Sequence, residues 1–283
     1  MTSGIAGIDH IIVGVRDLEA ARATWQRLGF TVTPRGRHIG QGTANYCIMF
    51  GRDYLELLGF VEPDEYGHRL EAFLAEREGP MSVAFAPERD AEATRAALAA
   101  NGLHPSAPRA LGRALELPEG EVMPRFSLLN LPPEETPGLD CFICGHLTPE
   151  LVRRPEWVAH ANGVTGIKAV HLLAENPAAL APAYRRLFGS GSVTSTGAGI
   201  AVAVGRHSLS FATQESFGDA YPALALDSIP LPSIAALELT VRSHTQTADF
   251  LRRSGIAITE LSDGRLAASA VVANGTALLW AQS

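Results

Sequence analysis

Apolar and polar positions alternate along the chain in short runs of two periods. Residues 8–15 form a β-branched run with few polar interruptions, the pattern of a largely buried strand. Asp17 then offers a helix N-cap, and Leu18, Ala21, Trp25 and Leu28 follow at helical spacing before Gly29 stops the helix. Residues 30–33 predict a second strand and 34–43 a loop rich in glycine and arginine. Residues 44–50 and 54–58 predict two more strands, joined by a Gly51-Arg52-Asp53 turn. The predicted order is β-α-β-β-β.

This order recurs. Setting Asp17 against Asp90 brings Gly29 and Gly102 into register, because each glycine follows its aspartate at the same spacing. A second unit then runs over 81–145, with a long proline-containing excursion at 118–137 and a closing strand at 139–144. A third begins at Gly166, with a strand at 167–173, a helix at 177–188, and strands at 193–196, 199–204 and 208–212. Its Gly205-Arg206-His207 turn aligns with Gly51-Arg52-Asp53. The fourth covers 235–282, with a helix at 245–254 stopped by Gly255 and strands at 258–261, 264–273 and 276–281. One helix on one small curved sheet cannot close a core in a unit of about 55 residues, so copies must pair, and pairing encloses a cleft. The pattern therefore predicts an α+β fold of four βαβββ modules arranged as two paired-module units, with curved mixed sheets enclosing a cleft. The N-terminal pair is expected at 1–147, a polar connector at 148–165, and the C-terminal pair at 166–283.

Composition narrows the partners. The formal charge of −7 argues against a nucleic-acid partner, which would need a basic surface. No apolar run approaches the roughly 20 residues that span a bilayer, and no basic-then-apolar leader opens the sequence, so a cytoplasmic protein is expected. Three cysteines do not make a disulfide framework. Cys141 and Cys144 have redox spacing, but in a strand residues three apart face opposite ways, which favours a structural role.

The opening D-H-x-x-[VI] strand, the Asp-capped helix ending in L-G-F, the loop R-H-x-G-x-G-T-x-N and the closing Y-L-E-L resemble the vicinal oxygen chelate superfamily, in its glyoxalase-like branch. The resemblance is tight over Gly7 to Gly59 and looser over the repeats. It implies paired βαβββ modules curved around a divalent metal ion, with ligands on the first and last strands of each module. Carried over by position, it gives His10 and Glu56 in unit one. Units two and three offer only Val83, Ala169 and Ser210 at such positions, so a metal centre is expected in the N-terminal half and the C-terminal pair is expected to be structural.

Two ligands hold a divalent ion poorly. His146 is the third candidate, because Phe142, Cys144 and His146 share one face of the closing strand. His10, Glu56 and His146 would then form a two-histidine, one-carboxylate site for Zn, Ni, Mn or Fe(II). His10 as a plain hydrogen-bonded strand residue and Glu56 as an ion-pair partner of Arg37 or Arg52 are the alternatives. Glu56 and His38 are the candidate acid–base groups, and Arg37, His38, Asn45, Tyr46, Tyr54 and Phe142 the candidate substrate contacts. Arg37 and His38, beside three glycines, suit a carboxylate or enolate oxygen. His160 and Asn162 in the connector fit turn or capping duty, and His171 a satisfied structural histidine. His68, His104, His207 and His244 form no readable arrangement.

The leading expectation is a metal-dependent enzyme acting on a small oxygenated substrate by isomerase, lyase or hydrolase chemistry. Extradiol-type dioxygenation fits less well, because the resemblance places that metal in the C-terminal pair. A metal-free small-molecule binding protein, its cleft lined by Trp25, Tyr46, Tyr54 and Phe142, is the alternative. Apolar strands of the C-terminal pair could also serve a homodimer.

Overall fold

A computed structural model describes residues 3–62, 68–224 and 229–282, with the side chain of His68 outside the described set. Nine strands make the first sheet. Their spatial order is Gly36–His38, Thr43–Met49, Tyr54–Phe60, Ile5–Gly14, Gly79–Pro87, Cys141–His146, Arg125–Asn130, Arg109–Leu117 and Gly120–Val122. Pairing of Gly36–His38 with Arg109–Leu117 closes this sheet into a ring. The second sheet has eight strands, built about Val164–Leu173 and Ser233–Val241, and is open.

Both sheets follow one plan. The first strands of two modules run antiparallel, Ile5–Gly14 against Gly79–Pro87 and Val164–Leu173 against Ser233–Val241. Each first strand also lies parallel to the last strand of its own module, so that His10 stands opposite Tyr54 and Ile12 opposite Glu56. These are the expected βαβββ modules. The helix Leu18–Arg27 forms as the spacing predicts: the Asp17 carboxylate accepts from the N–H of Ala20, and Leu18, Ala21 and Trp25 turn inward. They pack on the outer faces of the strands in an apolar core that continues from Ile11, Val13 and Trp25 to Val170, Leu172 and Trp280, joining both sheets.

Several predicted elements shift. Residues 30–33 form no strand. Thr33 lies beside the sheet and its N–H donates to the carbonyl of Cys47, but the return bond from the N–H of Cys47 goes to the Thr33 hydroxyl and Pro34 supplies no donor, so no ladder extends. The excursion at 118–137 holds Gly120–Val122, which pairs with Arg109–Leu117, and Arg125–Asn130, which is one strand of the ring. The predicted strand 264–273 is cut to Leu266–Ala268, followed by a helical turn at Ala270–Val272. Helices His68–Glu76 and Gln214–Ala220 lie outside the repeat pattern. The second fills the concave face of the open sheet, where Phe217 packs with Leu173, Ala236 and Leu279.

Two polar junctions tie the sheets together. The aligned turns of units one and three meet: Asp53 accepts from the N–H of Ile167 at 3.0 Å, faces His207 Nε2 at 3.1 Å and pairs with Arg206, while His207 Nδ1 accepts from the N–H of Ile8 at 2.9 Å. In the connector, Asn162 donates to the carbonyl of Leu28 and accepts from Val164. His160 accepts from the N–H of Thr31 through Nδ1 at 3.0 Å and donates to the carbonyl of Met49 through Nε2 at 3.0 Å.

A second ring proton would oppose the Thr31 N–H. Burial first, and the field of Arg242 after it, push the His160 pKa down to about 4 against the opposing bond to Met49. The unfolded chain takes up this proton near 6.5 and the folded chain only near 4, so its contribution to stability is intact above pH 6.5 and fades as the pH falls toward 4. The urea-unfolding midpoint is expected to decline across that window, with part of the decline absent in His160→Gln. Parallel pH profiles for the two proteins would show that His160 has no such role.

Candidate functional site

The ring encloses a cavity of about 210 Å³. Strand periodicity decides what faces it. His10 and Ile12 come from the first strand, Tyr54 and Glu56 from the last strand of the same module, and Phe142 and Cys144 from the last strand of unit two. Ser82 and Ala84 are the inward residues of unit two's first strand, whereas Val83 lies in the apolar core. The alignment placing Val83 against His10 is therefore displaced by one residue. Phe126 and Leu128 face the cavity from a strand inside the excursion, where the repeat predicted none, and Arg113 from the strand that precedes the excursion.

Glu56 lies at the centre of the polar wall and is 5% exposed. His10 Nε2 stands 3.3 Å from its Oε2, and His38 Nε2 3.6 Å from its Oε1. Asn45 donates to Oε1 at 2.5 Å. Each imidazole is held from behind: His10 Nδ1 is 2.8 Å from Asp9 Oδ2, and His38 Nδ1 is 3.0 Å from Thr43 Oγ1. Tyr54 stacks on His10 with ring centroids 4.5 Å apart, and Phe142 meets it edge-on.

Burial pushes the Glu56 pKa up, but the fields of His10, His38 and Arg113 and the Asn45 bond outweigh it and hold it below its usual range. Glu56 is thus a carboxylate. Burial pushes His38 down to about 4, further than the field of Glu56 raises it, so its ring is neutral near pH 7.

Asp9 is the residue that sequence reasoning missed. In plain strand alternation it would face away from its neighbour's cavity side. The antiparallel register instead slips between Ile8 and His10, and the resulting bulge turns the Asp9 carboxylate beside the His10 ring. It also meets His146 Nε2 at 3.0 Å and Arg153 at 3.1 Å. Burial raises its pKa, yet the two histidines together hold it well below the carboxylate range.

The structure does not bring His146 to His10 and Glu56. It stands behind Asp9, with its ring edge-on to Phe126 and Tyr54. Among the described residues, the group of three with donor atoms all within 4.8 Å of one another is Asp9, Cys144 and His146. Arg37 is exposed, because Gly36 and His38 take the inward positions of their three-residue strand. Tyr46 points to the helix side, where it donates to Glu19 at 2.6 Å under Arg22. Trp25 is core. Asn45, Tyr54 and Phe142 do gather about His10 and Glu56. Cys141 and Cys144 are free, one in the apolar core and the other on the cavity wall.

The glyoxalase-like domain model matches residues 8–188. Among functionally curated proteins, none matches the chain. A hypothetical protein from Staphylococcus aureus has a similar structure, with a TM-score of 0.68 at 11% identity over 98% of this chain and 99% of that one. A triple mutant of 4-hydroxymandelate synthase from Streptomyces coelicolor gives 0.61 at 11% identity over 99% and 93%. A xylose isomerase-like TIM barrel/4-hydroxyphenylpyruvate dioxygenase fusion protein gives 0.55 at 13% identity, with all of this chain matching 49% of that one. At such identities the likeness is one of fold.

Asp9 is held by three partners, so Asp9→Asn is expected to cost about 3 kcal/mol of unfolding free energy in urea, as removal of one member of a buried charge cluster does. Arg153→Met, at the more open edge of the cluster, is expected to cost less than about 1 kcal/mol. Equal costs would place the cluster's centre elsewhere than at Asp9.

Proposed function

Because the chain belongs to the glyoxalase-like domain family, we propose that its N-terminal half is a metal-dependent enzyme of the vicinal oxygen chelate type. Its substrate is a small oxygenated organic molecule, and its chemistry is proton transfer beside a carbonyl, leading to isomerisation, lysis or hydrolysis. One observation carries this reading: two histidines, each fixed through Nδ1, aim Nε2 at the two oxygens of one buried carboxylate on a cavity wall.

The donor chemistry fits a divalent ion. Ligand atoms bound to one ion at about 2.1 Å stand roughly 3.0–3.4 Å apart, close to the 3.3 Å between His10 Nε2 and Glu56 Oε2. An Nδ1 partner that fixes a ring's tautomer is the usual support of a ligating histidine. His38, neutral and weakly basic, suits a ligand better than a base. His10, Glu56 and His38 would hold the ion once the two imidazoles, which face different oxygens of the carboxylate, draw together upon it. The group Asp9, Cys144 and His146 is tighter but fits less well: Asp9 already meets two histidines and Arg153, and burial keeps the Cys144 thiol protonated.

When bound, the ion would supply positive charge against an oxyanion developing on the substrate. The protein's part is positional. Tyr54 and Phe142 wall the cavity on either side of His10 and exclude water from it. Glu56, ionised and facing the cavity, is placed to accept a proton from a substrate carbon. In the C-terminal pair the corresponding space is filled by Phe217 and its neighbours, which supports an active site in the N-terminal half alone.

Elemental analysis of purified protein is expected to give close to one divalent ion per chain. Added Zn(II), Ni(II), Mn(II) or Fe(II) is expected to raise the melting temperature of stripped protein. His10→Ala and Glu56→Ala are expected to lose the ion, and His146→Ala to keep it. Protein with neither stoichiometric metal nor a metal-induced shift would instead be a metal-free binding protein of the same fold.

A further inference from the structure

Arg113 is a buried guanidinium that pairs with no carboxylate among the described residues. It is 4% exposed and lies on the cavity wall. Its side chain donates to the sulfur of Cys47 at 3.1 Å and lies over the Phe126 ring at 5.4 Å, and its Nε has no hydrogen-bond partner. Burial pushes the Cys47 thiol up to about 11, so the sulfur that Arg113 meets is neutral. Glu56 lies near enough for its field to be felt, but its oxygens are directed to His10, His38 and Asn45. A guanidinium has five donors in a planar fork, and burying it with most of them unused is costly unless something else takes them up.

The fold makes room for this arrangement. A Cβ at position 36 would collide with Asn45 Oδ1 and with the stem of Arg113, so Gly36 admits both side chains across the seam that closes the ring. The other arginines on the cavity differ from it. Arg69 is exposed and paired with Asp140, and Arg109 is exposed at the rim.

We propose that Arg113 is the anion-binding group of this cavity and that the substrate is a small carboxylate, a 2-hydroxy or 2-oxo acid whose carboxyl group lies on the Arg113 fork. The carboxylate claim stands on Arg113 alone; the 2-hydroxy or 2-oxo claim rests on the metal-centre reading above, since it places the neighbouring oxygen toward His10 and Glu56. The fork offers two parallel donors to a carboxylate, as a lysine could not.

Thermal unfolding and calorimetric titration of the as-purified protein, and of protein treated with EDTA, test both parts. Lactate and pyruvate at about 20 mM are expected to raise the melting temperature by roughly 2 °C or more, and neutral lactamide is expected to leave it unchanged. The EDTA-treated protein is expected to keep the preference for lactate over lactamide, which separates the anion site from the metal reading. Arg113→Met is expected to abolish the shift. Should that variant fail to fold, Arg113→Lys keeps the charge without the fork and is expected to bind lactate at least about tenfold more weakly. Lactamide binding as well as lactate, or lactate binding unchanged in Arg113→Lys, would overturn the carboxylate assignment. Absence of metal with Arg113-dependent lactate binding intact would overturn the metal centre and the 2-hydroxy or 2-oxo claim and leave the carboxylate site standing.

Discussion

The antiparallel pairing of Ile5–Gly14 with Gly79–Pro87 is the constraint on which the rest of the N-terminal half depends. It joins two modules that could not close a core alone, and it fixes which residues look into the ring. It also contains the bulge at Asp9. The partners of Ile8 and His10 are consecutive residues, Phe85 and Ala84, so Ile8 faces the apolar core while His10 faces the cavity. Without the extra residue the two would share a face. The bulge therefore sends a histidine inward from a strand whose other face is apolar, and it places a carboxylate where it can hold that histidine.

The C-terminal pair has the same bulge and uses it differently. The register slips between Ile167 and Ala169, leaving Lys168 as the extra residue at the position of Asp9. Lys168 reaches Glu238 at 3.0 Å, and Glu238 also meets His171 at 3.1 Å and Arg265 at 2.9 Å. This carboxylate has three cationic or donor partners, and Phe217 and Tyr221 pack against the histidine. It is a closed polar cluster under a filled concave face. In the N-terminal ring Glu56 has two imidazoles and an amide, Arg113 has a neutral thiol, and a cavity lies between them. One architecture thus holds two buried acids with three partners each, one under a filled face and one on the wall of a cavity. That contrast is what supports the proposal of an active site in the N-terminal half.

Much of the fold was legible because each module repeats the same hydrophobic periods. A capping Asp, Asn or Ser at the helix start, glycine at its end and apolar runs on either side mark the modules even where their other side chains differ. The parts that were not legible depend on contacts distant in sequence. The ring closes through Gly36–His38, too short to show any alternation, and Arg109–Leu117, whose pairing with it no local pattern marks. Within the site, His10 and Glu56 were readable from the resemblance, and His38 from its loop. Tyr46 was grouped with Asn45 although adjacent strand residues face opposite ways, a conflict visible in the sequence itself. His146 shares a strand face with Phe142 and Cys144 and pairs across the sheet with Phe126, but its ring meets Asp9 behind His10 and does not line the cavity.

The glycine-rich loop also changes meaning once the ring is closed. Read alone, its glycines free the backbone to approach a ligand and its arginine supplies the charge. In the folded chain Arg37 points outward, and Gly36 is small for a different reason: it leaves the space through which Arg113 enters from the opposite strand. The cation that suits an anionic ligand is present, but it comes from a strand about 75 residues away in sequence, where no local spacing marks it. A buried guanidinium whose partners among the described residues are a thiol and an aromatic ring is expensive in an interior otherwise arranged to answer its charges. The economy of the rest of the molecule, where Asp53, Glu238 and Asp9 each have three partners, makes that exception the part of the ring that calls for something from outside the chain.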